Sequence, residues 1–234
     1  MKRLIIFACI LAGTFSAHRA LACTGITLHT ANNYPVTART IEWAATPLHA
    51  MYVIVPRGQQ QRSFLPDGTL AGKTFTAKYG YVGISVENDA FVMEGINEAG
   101  LGVGLFYFPQ YGEYQPYDPQ KKEQSVSDMQ LAAWILSSFA SINELQAAMP
   151  QIRVIATDPR ASTVHWRITE SSGRQVVLEI VNQHVHFYEN PLGVLTNSPD
   201  FGWHLTNLNN YVNLSAGSIN HRQVGRLNLN AFGG

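Results

Sequence analysis

The sequence predicts an α+β fold built on a largely antiparallel sheet, and three observations lead to this prediction. Short runs of alternating apolar and polar residues, separated by turn residues, occupy most of the chain between residues 23 and 108. Two adjacent helical patterns follow between residues 127 and 149, and strand patterns then resume up to residue 196. Strands, a helix pair and strands again are typical of an antiparallel sheet that helices cover.

The elements are predicted in the following order. Strands are expected at residues 23–28, 34–39, 51–55, 79–86, 91–96 and 101–108, helices at 129–139 and 142–149, and further strands at 153–156, 164–168, 175–181, 184–188 and 193–196. Asn32-Asn33 and Asn88-Asp89 are typical turn residues, and Ser141 with Glu144 forms a capping box for the second helix. Residues 109–124 are rich in Pro, Tyr and Gln, which predicts a surface loop. No boundary is predicted within residues 23–234, which form one expected domain.

The composition excludes disordered and nucleic-acid-binding classes of protein. Of the 234 residues, 46% are hydrophobic and 14% are charged, so the chain can bury enough apolar surface to fold. The 16 basic residues are matched by 16 acidic ones, which leaves no excess of positive charge for a nucleic-acid partner.

Residues 1–22 are typical of a secretory signal peptide. Lys2 and Arg3 precede a short apolar stretch, and Ala20-Leu21-Ala22 forms the small-x-small pattern that signal peptidase cleaves. The apolar stretch is shorter than the ~20 residues that a transmembrane helix needs, so no stable membrane insertion is expected after cleavage. The sequence therefore predicts a periplasmic or secreted protein.

Cleavage after Ala22 would place Cys23 at the new N-terminus. The first 22 residues hold three of the basic residues, no acidic ones and Cys9, which leaves 13 basic residues, 16 acidic ones and one cysteine. A single thiol cannot form an internal disulfide. Three interpretations of Cys23 remain open: a small buried hydrophobe, an acylated lipoprotein anchor, or an N-terminal nucleophile with its own α-amine as base. The anchor is disfavoured because Ala20 stands where such signals usually carry leucine.

Two short motifs favour a nucleophile site. Arg39 and Glu42 stand together at the end of a predicted strand, where they form either a surface ion pair or charges that stabilise a thiolate and an ammonium. Asn197 stands in a turn after another strand, where its amide is either a turn residue or a donor to an oxyanion.

Metal and cofactor sites are not predicted. His184 and His186 share one face of a strand, but no further ligand stands at a suitable spacing. The glycines between residues 100 and 104 lie within a strand pattern and open no helix, so they do not form a dinucleotide or phosphate loop.

Taken together, four stretches and their order resemble the choloylglycine hydrolase family of N-terminal nucleophile hydrolases, which includes bile salt hydrolases and penicillin V acylases. The stretches are Cys23-Thr24-Gly25, residues 38–43 (ARTIEW), residues 94–101 (EGINEAGL) and residues 195–199 (LTNSP), and residues 204–211 (HLTNLNNY) are also similar. The resemblance implies a four-layer αββα fold and hydrolysis of linear amide C–N bonds, without a metal or cofactor.

The resemblance also implies roles for individual residues. Cys23 matches the nucleophile, Arg39 and Glu42 match the arginine and aspartate that flank it, and Asn197 matches the oxyanion-hole asparagine. Glu42 replaces the aspartate of many members, which lengthens the side chain without changing its charge. A further active-site position falls on Phe106 or Tyr107, and Tyr107 is favoured.

The expected substrate is an amphipathic N-acyl amide, such as a conjugated bile salt or penicillin V. Trp43, Phe106, Tyr107 and Phe108 either line its pocket or belong to the core. Family members often form tetramers, so a homotetramer is one expected assembly. The competing class is a lipid-anchored, non-catalytic envelope binding protein with an acylated Cys23.

Relatives in this family continue beyond the point where this chain stops, into a segment whose arginine joins their active site. We therefore expect the chain to be truncated at its C-terminus, with weak activity and low stability. A thermal melt and a turnover rate equal to those of a longer form would contradict this expectation.

Overall fold

The computed structural model describes residues 23–42, 47–159, 162–212 and 222–229. They group into two compact units, one ending at Ser198 and one starting at Pro199. The strands are β1 Thr24–His29, β2 Pro35–Arg39, β3 Ala50–Val55, β4 Gln60–Phe64, β5 Leu70–Thr76, β6 Tyr81–Val86, β7 Asn88–Asn97, β8 Gly102–Tyr107, β9 Ser125–Ser127, β10 Arg153–Ile155, β11 Val164–Thr169, β12 Gln175–Val181, β13 His184–Glu189, β14 Leu195–Thr196, β15 Arg222–Val224 and β16 Leu227–Leu229. The helices are α1 Leu131–Ser138, α2 Ile142–Ala148 and α3 Phe201–Asn207, with 3-10 turns at Pro119–Gln124, Asp128–Gln130, Met149–Gln151 and Leu208–Tyr211.

A seven-stranded sheet forms the centre of the first unit. Its order is β13-β12-β11-β8-β7-β6-β3, and every neighbouring pair is antiparallel. This sheet, together with the helices that cover it, confirms the predicted α+β class. The turn between β6 and β7 is tighter than expected, because Glu87 alone takes the left-handed conformation (φ 64°) and β7 already begins at Asn88.

The predicted helix pair covers one face of this large sheet. Helix α1 is buried from Leu131 to Ser137 and packs against β7 and β8. Helix α2 begins with the predicted capping box, in which the Ser141 hydroxyl accepts a hydrogen bond from the Glu144 amide at 3.2 Å. The Glu144 carboxylate accepts its return bond from the amide of Ala140, one residue earlier than expected.

A second, smaller sheet has the order β14-β1-β2 and is antiparallel throughout. Burial alternates along the start of β1: Cys23 and Gly25 are buried, whereas Thr24 and Ile26 are exposed. One face of the small sheet is therefore buried, and it lies on the large sheet. A Cβ atom added to Gly25 would lie 2.6 Å from Cζ of Phe106 in β8, so only glycine allows this approach of the two sheets.

Three strands of the first unit were not predicted from the sequence. β4 pairs with β5, and β9 pairs in parallel with β10, of which only β10 was expected. These strands are polar, and the fully buried Ser63, Ser125 and Ser127 are stabilised by hydrogen bonds rather than by an apolar pattern.

The predicted surface loop at residues 109–124 is wrong in part. Tyr114 is buried in the main hydrophobic cluster, and its hydroxyl group bonds the backbone amide and carbonyl of Val164. Residues 119–124 form a 3-10 turn rather than an irregular loop.

The second unit contains α3 and the β15–β16 hairpin, neither of which was predicted. Asp200 caps α3 by accepting a hydrogen bond from the Trp203 amide at 2.8 Å. Within the described ranges, no helix combines the length and apolar character needed to cross a membrane.

Candidate active site

Cys23 lies buried at the start of β1, with 6% of its surface exposed. The Thr196 hydroxyl donates a hydrogen bond to the Cys23 carbonyl at 2.7 Å, which connects β1 to β14. On the other side, Thr24 and Thr40 are joined by two hydrogen bonds, one from each backbone amide. The backbone around the thiol is thus held by both neighbouring strands.

Asn197 is brought next to Cys23 by the register of the small sheet. β14 pairs with β1 so that Thr196 is opposite Thr24, and one further step of this register would bring Asn197 opposite Cys23. Residues directly opposite in an antiparallel pair have Cα atoms about 4.5–5.5 Å apart and share one face. The Asn197 Oδ1 accepts a hydrogen bond from the Tyr107 amide at 3.0 Å, so its carbonyl end points to β8 and its NH2 group is the donor end.

Arg39 reaches the same face from β2, where it pairs with Gly25. Its side chain is 5% exposed, and Nη1 donates to the carbonyls of Met93 at 3.1 Å and Leu105 at 2.5 Å. The guanidinium lies 4.2 Å from the centre of the Phe106 ring, a cation–π contact. Among the described residues, its Nη2 has no hydrogen-bond partner.

Two charged residues that the sequence analysis did not single out complete this cluster. The Glu94 carboxylate lies 3.7 Å from Arg39 Nη1 and accepts a hydrogen bond from Arg167 Nη2 at 3.3 Å. Arg167 is 1% exposed and also donates to the Ile26 carbonyl at 3.1 Å. The sequence did contain a signal, because an arginine between Trp166 and Ile168 in a predicted strand requires a partner once that strand is buried.

Burial perturbs the charges of this cluster. It raises the pKa of the Glu94 carboxyl, and the positive charges of Arg167 and Arg39 oppose that rise. It also lowers the pKa of the Arg167 guanidinium, against the attraction of Glu94. A Cβ atom on Gly104 would lie within 2.2 Å of Glu94 Oε2, so the carboxylate occupies space that only a glycine leaves open.

Glu42 is not part of this cluster. Its side chain is exposed, and it makes no hydrogen bond or ion pair with the residues that the structure describes. The carboxylate that pairs with Arg39 is Glu94, which comes from the large sheet. The expected contact between Glu42 and a freed Cys23 amine requires a cleaved chain and stays a prediction.

The four aromatic residues proposed for the substrate pocket differ in their surroundings. Phe106 and Phe108 are fully buried, and Phe108 stacks on His165 with ring centres 4.3 Å apart. Their burial favours the core alternative. Tyr107 is partly exposed and its hydroxyl donates to Ser162 at 2.7 Å, while Trp43 lies outside the described residues. The predicted signal peptide, residues 1–22, also lies outside them.

The arrangement combines a buried thiol, an amide donor opposite it and a guanidinium on the same face. These groups are suited to acyl transfer, in which a nucleophile attacks a carbonyl and a donor stabilises the oxyanion. In the part of the chain that the structure describes, no three His, Cys, Asp or Glu side chains are grouped as metal ligands.

Comparison with known proteins identifies relatives across almost the whole chain. Residues 23–234 match the family model of linear amide C-N hydrolases, choloylglycine hydrolase family. A bile salt hydrolase/transferase of Clostridium perfringens is 29% identical over 217 residues, which are 90% of this chain and 64% of that protein. A penicillin V acylase of Pectobacterium atrosepticum is 28% identical over 224 residues, 90% of this chain and 58% of that protein. The chain thus spans less than two thirds of the length of these relatives.

Solved structures show the same likeness. A variant of the conjugated bile acid hydrolase from Clostridium perfringens superimposes with a TM-score of 0.73 at 28% identity and covers 90% of this chain and 64% of that one. Penicillin V acylase from Agrobacterium tumefaciens gives a TM-score of 0.66 at 26% identity. The match covers 81% of this chain and 56% of the acylase. These similarities confirm the predicted fold of the N-terminal nucleophile hydrolase type. With its large sheet, its Cys23 strand and a family match from residue 23 to residue 234, the chain belongs to the choloylglycine hydrolase family of linear amide C-N hydrolases.

Proposed function

We propose that this protein is an exported cysteine amidohydrolase that cleaves linear amide C–N bonds with Cys23 as an N-terminal nucleophile. The observation that carries the proposal is the pairing of Thr196 with Thr24, whose register, extended by one residue, would bring Asn197 opposite Cys23 on the face that also holds Arg39. Membership of the linear amide hydrolase family supports the same reaction class.

The reaction begins when signal peptidase frees the α-amine of Cys23. The thiol proton passes to this amine, whose ordinary pKa is about 7.7–8.0, and the sulfur attacks the amide carbon of the substrate. The C–N bond breaks as the α-ammonium returns the proton to the leaving nitrogen, and a thioester remains. Water then attacks the thioester, its proton passes through the amine to the sulfur, and the free acid leaves.

Two side chains assist these steps. The Asn197 amide donates to the oxyanion that forms in each attack, a contribution of about 3–4 kcal/mol for comparable donors. Arg39 contributes positive charge on the same face, which favours the thiolate over the thiol. Neither step requires a metal or an organic cofactor.

The substrate class we propose is an amphipathic N-acyl amide. The names of the relatives support this class, since one acts on bile salts and another on penicillin V. Both compounds join an apolar acyl group to a polar amine through one linear amide bond. The predicted signal peptide supports a periplasmic or secreted location.

The first test is the intact mass and N-terminal sequence of the protein recovered after expression with its signal. We expect a chain that starts at Cys23 with a free amine. A diacylglycerol-sized mass increment on Cys23 or an uncut signal would contradict the mechanism and favour a lipid-anchored binding protein.

The second test is turnover on a substrate panel. We expect the protein to hydrolyse at least one of two substrates. Hydrolysis of a glycine-conjugated bile salt releases glycine, and hydrolysis of penicillin V releases phenoxyacetic acid. Cys23→Ala should abolish this release, while the exposed Thr24→Ala should retain it. Equal release by Cys23→Ala would refute the assignment of the nucleophile.

A further inference from the structure

A buried histidine and glutamate connect the large sheet to β14, the strand that ends just before Asn197. His165 in β11 and Glu179 in β12 are both 0% exposed, and His165 Nδ1 lies 3.0 Å from Glu179 Oε1. The other ring nitrogen, Nε2, lies 3.0 Å from the carbonyl oxygen of Thr196 in β14. The imidazole is therefore held at both nitrogens and spans the gap between the two sheets.

The Thr196 carbonyl belongs to the peptide group that leads directly into Asn197. A carbonyl oxygen only accepts, so the contact requires a hydrogen on Nε2, and Glu179 holds the ring at its other nitrogen. Stacking on Phe108, with the ring planes only 9° apart, fixes the plane of the imidazole as well. Every rotation of this ring is thus restricted.

β14 needs such a support because it is only two residues long and, among the described strands, pairs with β1 alone. Hydrogen bonds from the large sheet reach its end: Tyr107 donates to the Asn197 side chain, and His165 donates to the peptide before it. The Tyr107 carbonyl also accepts a bond from the Ser198 amide at 3.1 Å, one residue further along the chain. The bond from the Tyr107 amide sets the orientation of the Asn197 amide, and the bond from His165 sets the peptide from which that side chain projects.

We propose that His165, held by Glu179, is a positioning residue that fixes the Thr196–Asn197 peptide and thereby sets the Asn197 amide against the carbonyl that Cys23 attacks. The proposal rests on the proposed function for the role of Asn197. His165 does not touch the reacting atoms, and its effect passes through β14. Misplacement of a catalytic group by about 1 Å can cost a factor of about 100 in rate.

Two amide variants separate the two hydrogen bonds of the imidazole. In His165→Gln the side-chain nitrogen reaches as far as Nε2 and can still donate to Thr196. In His165→Asn it reaches only as far as Nδ1 and can donate only to Glu179. Both variants remove the ring and its stacking on Phe108, so they are matched controls for each other.

The first measurement is steady-state hydrolysis by both variants in the signal-cleaved protein. We expect kcat to fall by about 10-fold or more in His165→Asn with KM little changed, and His165→Gln to recover most of that loss. Equal kcat values in the two variants, with equal melting temperatures, would overturn the proposal.

The second measurement does not depend on turnover. Hydrogen exchange of the Tyr107 amide, compared with core amides of β12, reports whether Asn197 still accepts its bond. Exchange should accelerate in His165→Asn and stay slow in His165→Gln. If exchange responds in this way but the wild type hydrolyses no amide, the positioning role stands and the proposed function fails. If the wild type turns over and Tyr107 exchange is the same in both variants, the positioning role fails.

A third measurement uses the wild type, in case His165→Asn does not fold. The ¹⁵N spectrum of the His165 ring should show a hydrogen-bearing Nε2. A pyridine-type signal from Nε2 would refute the proposal, because such a nitrogen cannot donate to the Thr196 carbonyl.

Discussion

At the scale of single residues, the site depends on charges that are buried together. Arg39 and Arg167 keep 5% and 1% of their side-chain surface exposed, while Glu94 between them keeps 22%. A buried charge is tolerated only when an opposite charge and hydrogen bonds replace its water. Glu94 is thus the counter-charge that lets two guanidinium groups lie between the sheets.

Replacing Glu94 by glutamine tests this role. Glu94→Gln retains the shape of the side chain but leaves two buried guanidinium groups without a negative partner. Because burial raises the pKa of the Glu94 carboxyl despite both arginines, folding disfavours its ionised form, and we expect Glu94→Gln to gain stability relative to the wild type as the pH increases from about 4 toward neutrality, measured by urea denaturation. The matched control is Glu98→Gln, whose exposed pair with Arg57 should contribute almost nothing. Equal effects of the two substitutions would contradict the prediction.

Asp128 provides a prediction on pH. Its carboxylate is buried and accepts hydrogen bonds from Met129 and Thr157, yet burial outweighs them and raises its pKa above the ordinary value of 3.8. The folded state therefore binds the proton more tightly than the unfolded state. The contribution of Asp128 to stability is largest at low pH and is lost as the pH rises through its raised pKa.

Asp128→Asn should remove this dependence while keeping an oxygen that accepts the same hydrogen bonds. Relative to the wild type, we expect the variant to gain stability as the pH increases from about 4 toward neutrality. Denaturation curves at a series of pH values measure the difference, and a difference that does not change with pH would contradict the assignment.

At the scale of elements, β1 is the strand on which the site depends. It directly follows Cys23, pairs with both β2 and β14, and approaches the large sheet at Gly25. The bond from the Thr196 hydroxyl to the Cys23 carbonyl fixes the end of β1 next to the thiol.

Thr196→Val removes this hydroxyl group and retains a branched side chain suited to a strand. We expect about 1 kcal/mol of stability to be lost, together with a fall in kcat larger than any change in KM. The control is Thr24→Val on the opposite residue of the same pair, because its exposed hydroxyl makes no hydrogen bond to described residues. Identical kinetics of the two variants would exclude a role of the Thr196 hydroxyl group.

At the scale of the whole molecule, the proposed activity depends on cleavage of the peptide bond between Ala22 and Cys23. An α-amine that is still part of a peptide bond cannot accept a proton, so the precursor should be inactive even when β1 is formed. The small residues Ala20 and Ala22 are the elements of the sequence that predict the cleavage site.

Ala22→Phe should block cleavage, because signal peptidase requires a small residue immediately before the cut. We expect a mass that retains the first 22 residues and no amide hydrolysis. Ala22→Gly keeps a small residue and should be cleaved and active. Full activity of an uncut Ala22→Phe protein would show that the free amine of Cys23 is not needed.

The sequence determined much of this protein through local signals. Alternating apolar residues predicted most strands of both sheets, and Ser141 with Glu144 predicted the start of α2. The short motifs around Cys23, Arg39 and Asn197 identified the family, since each contains chemistry-bearing residues in a fixed chain order. The polar strands β4, β5 and β9 escaped prediction because hydrogen bonds to distant residues, and not apolar alternation, stabilise them.

The tertiary structure decided which partners these residues have. Glu94 and not the neighbouring Glu42 pairs with Arg39, and His165 meets the peptide before Asn197, although 31 residues separate it from Thr196. Phe106 and Phe108 are fully buried, and Phe106 lies where β8 meets Gly25 of the small sheet. The physical reason is that a buried charge or hydrogen-bond donor on one sheet can pair only with a group on the facing sheet that lies within contact distance. Their separation follows from strand order and register, which no local pattern encodes.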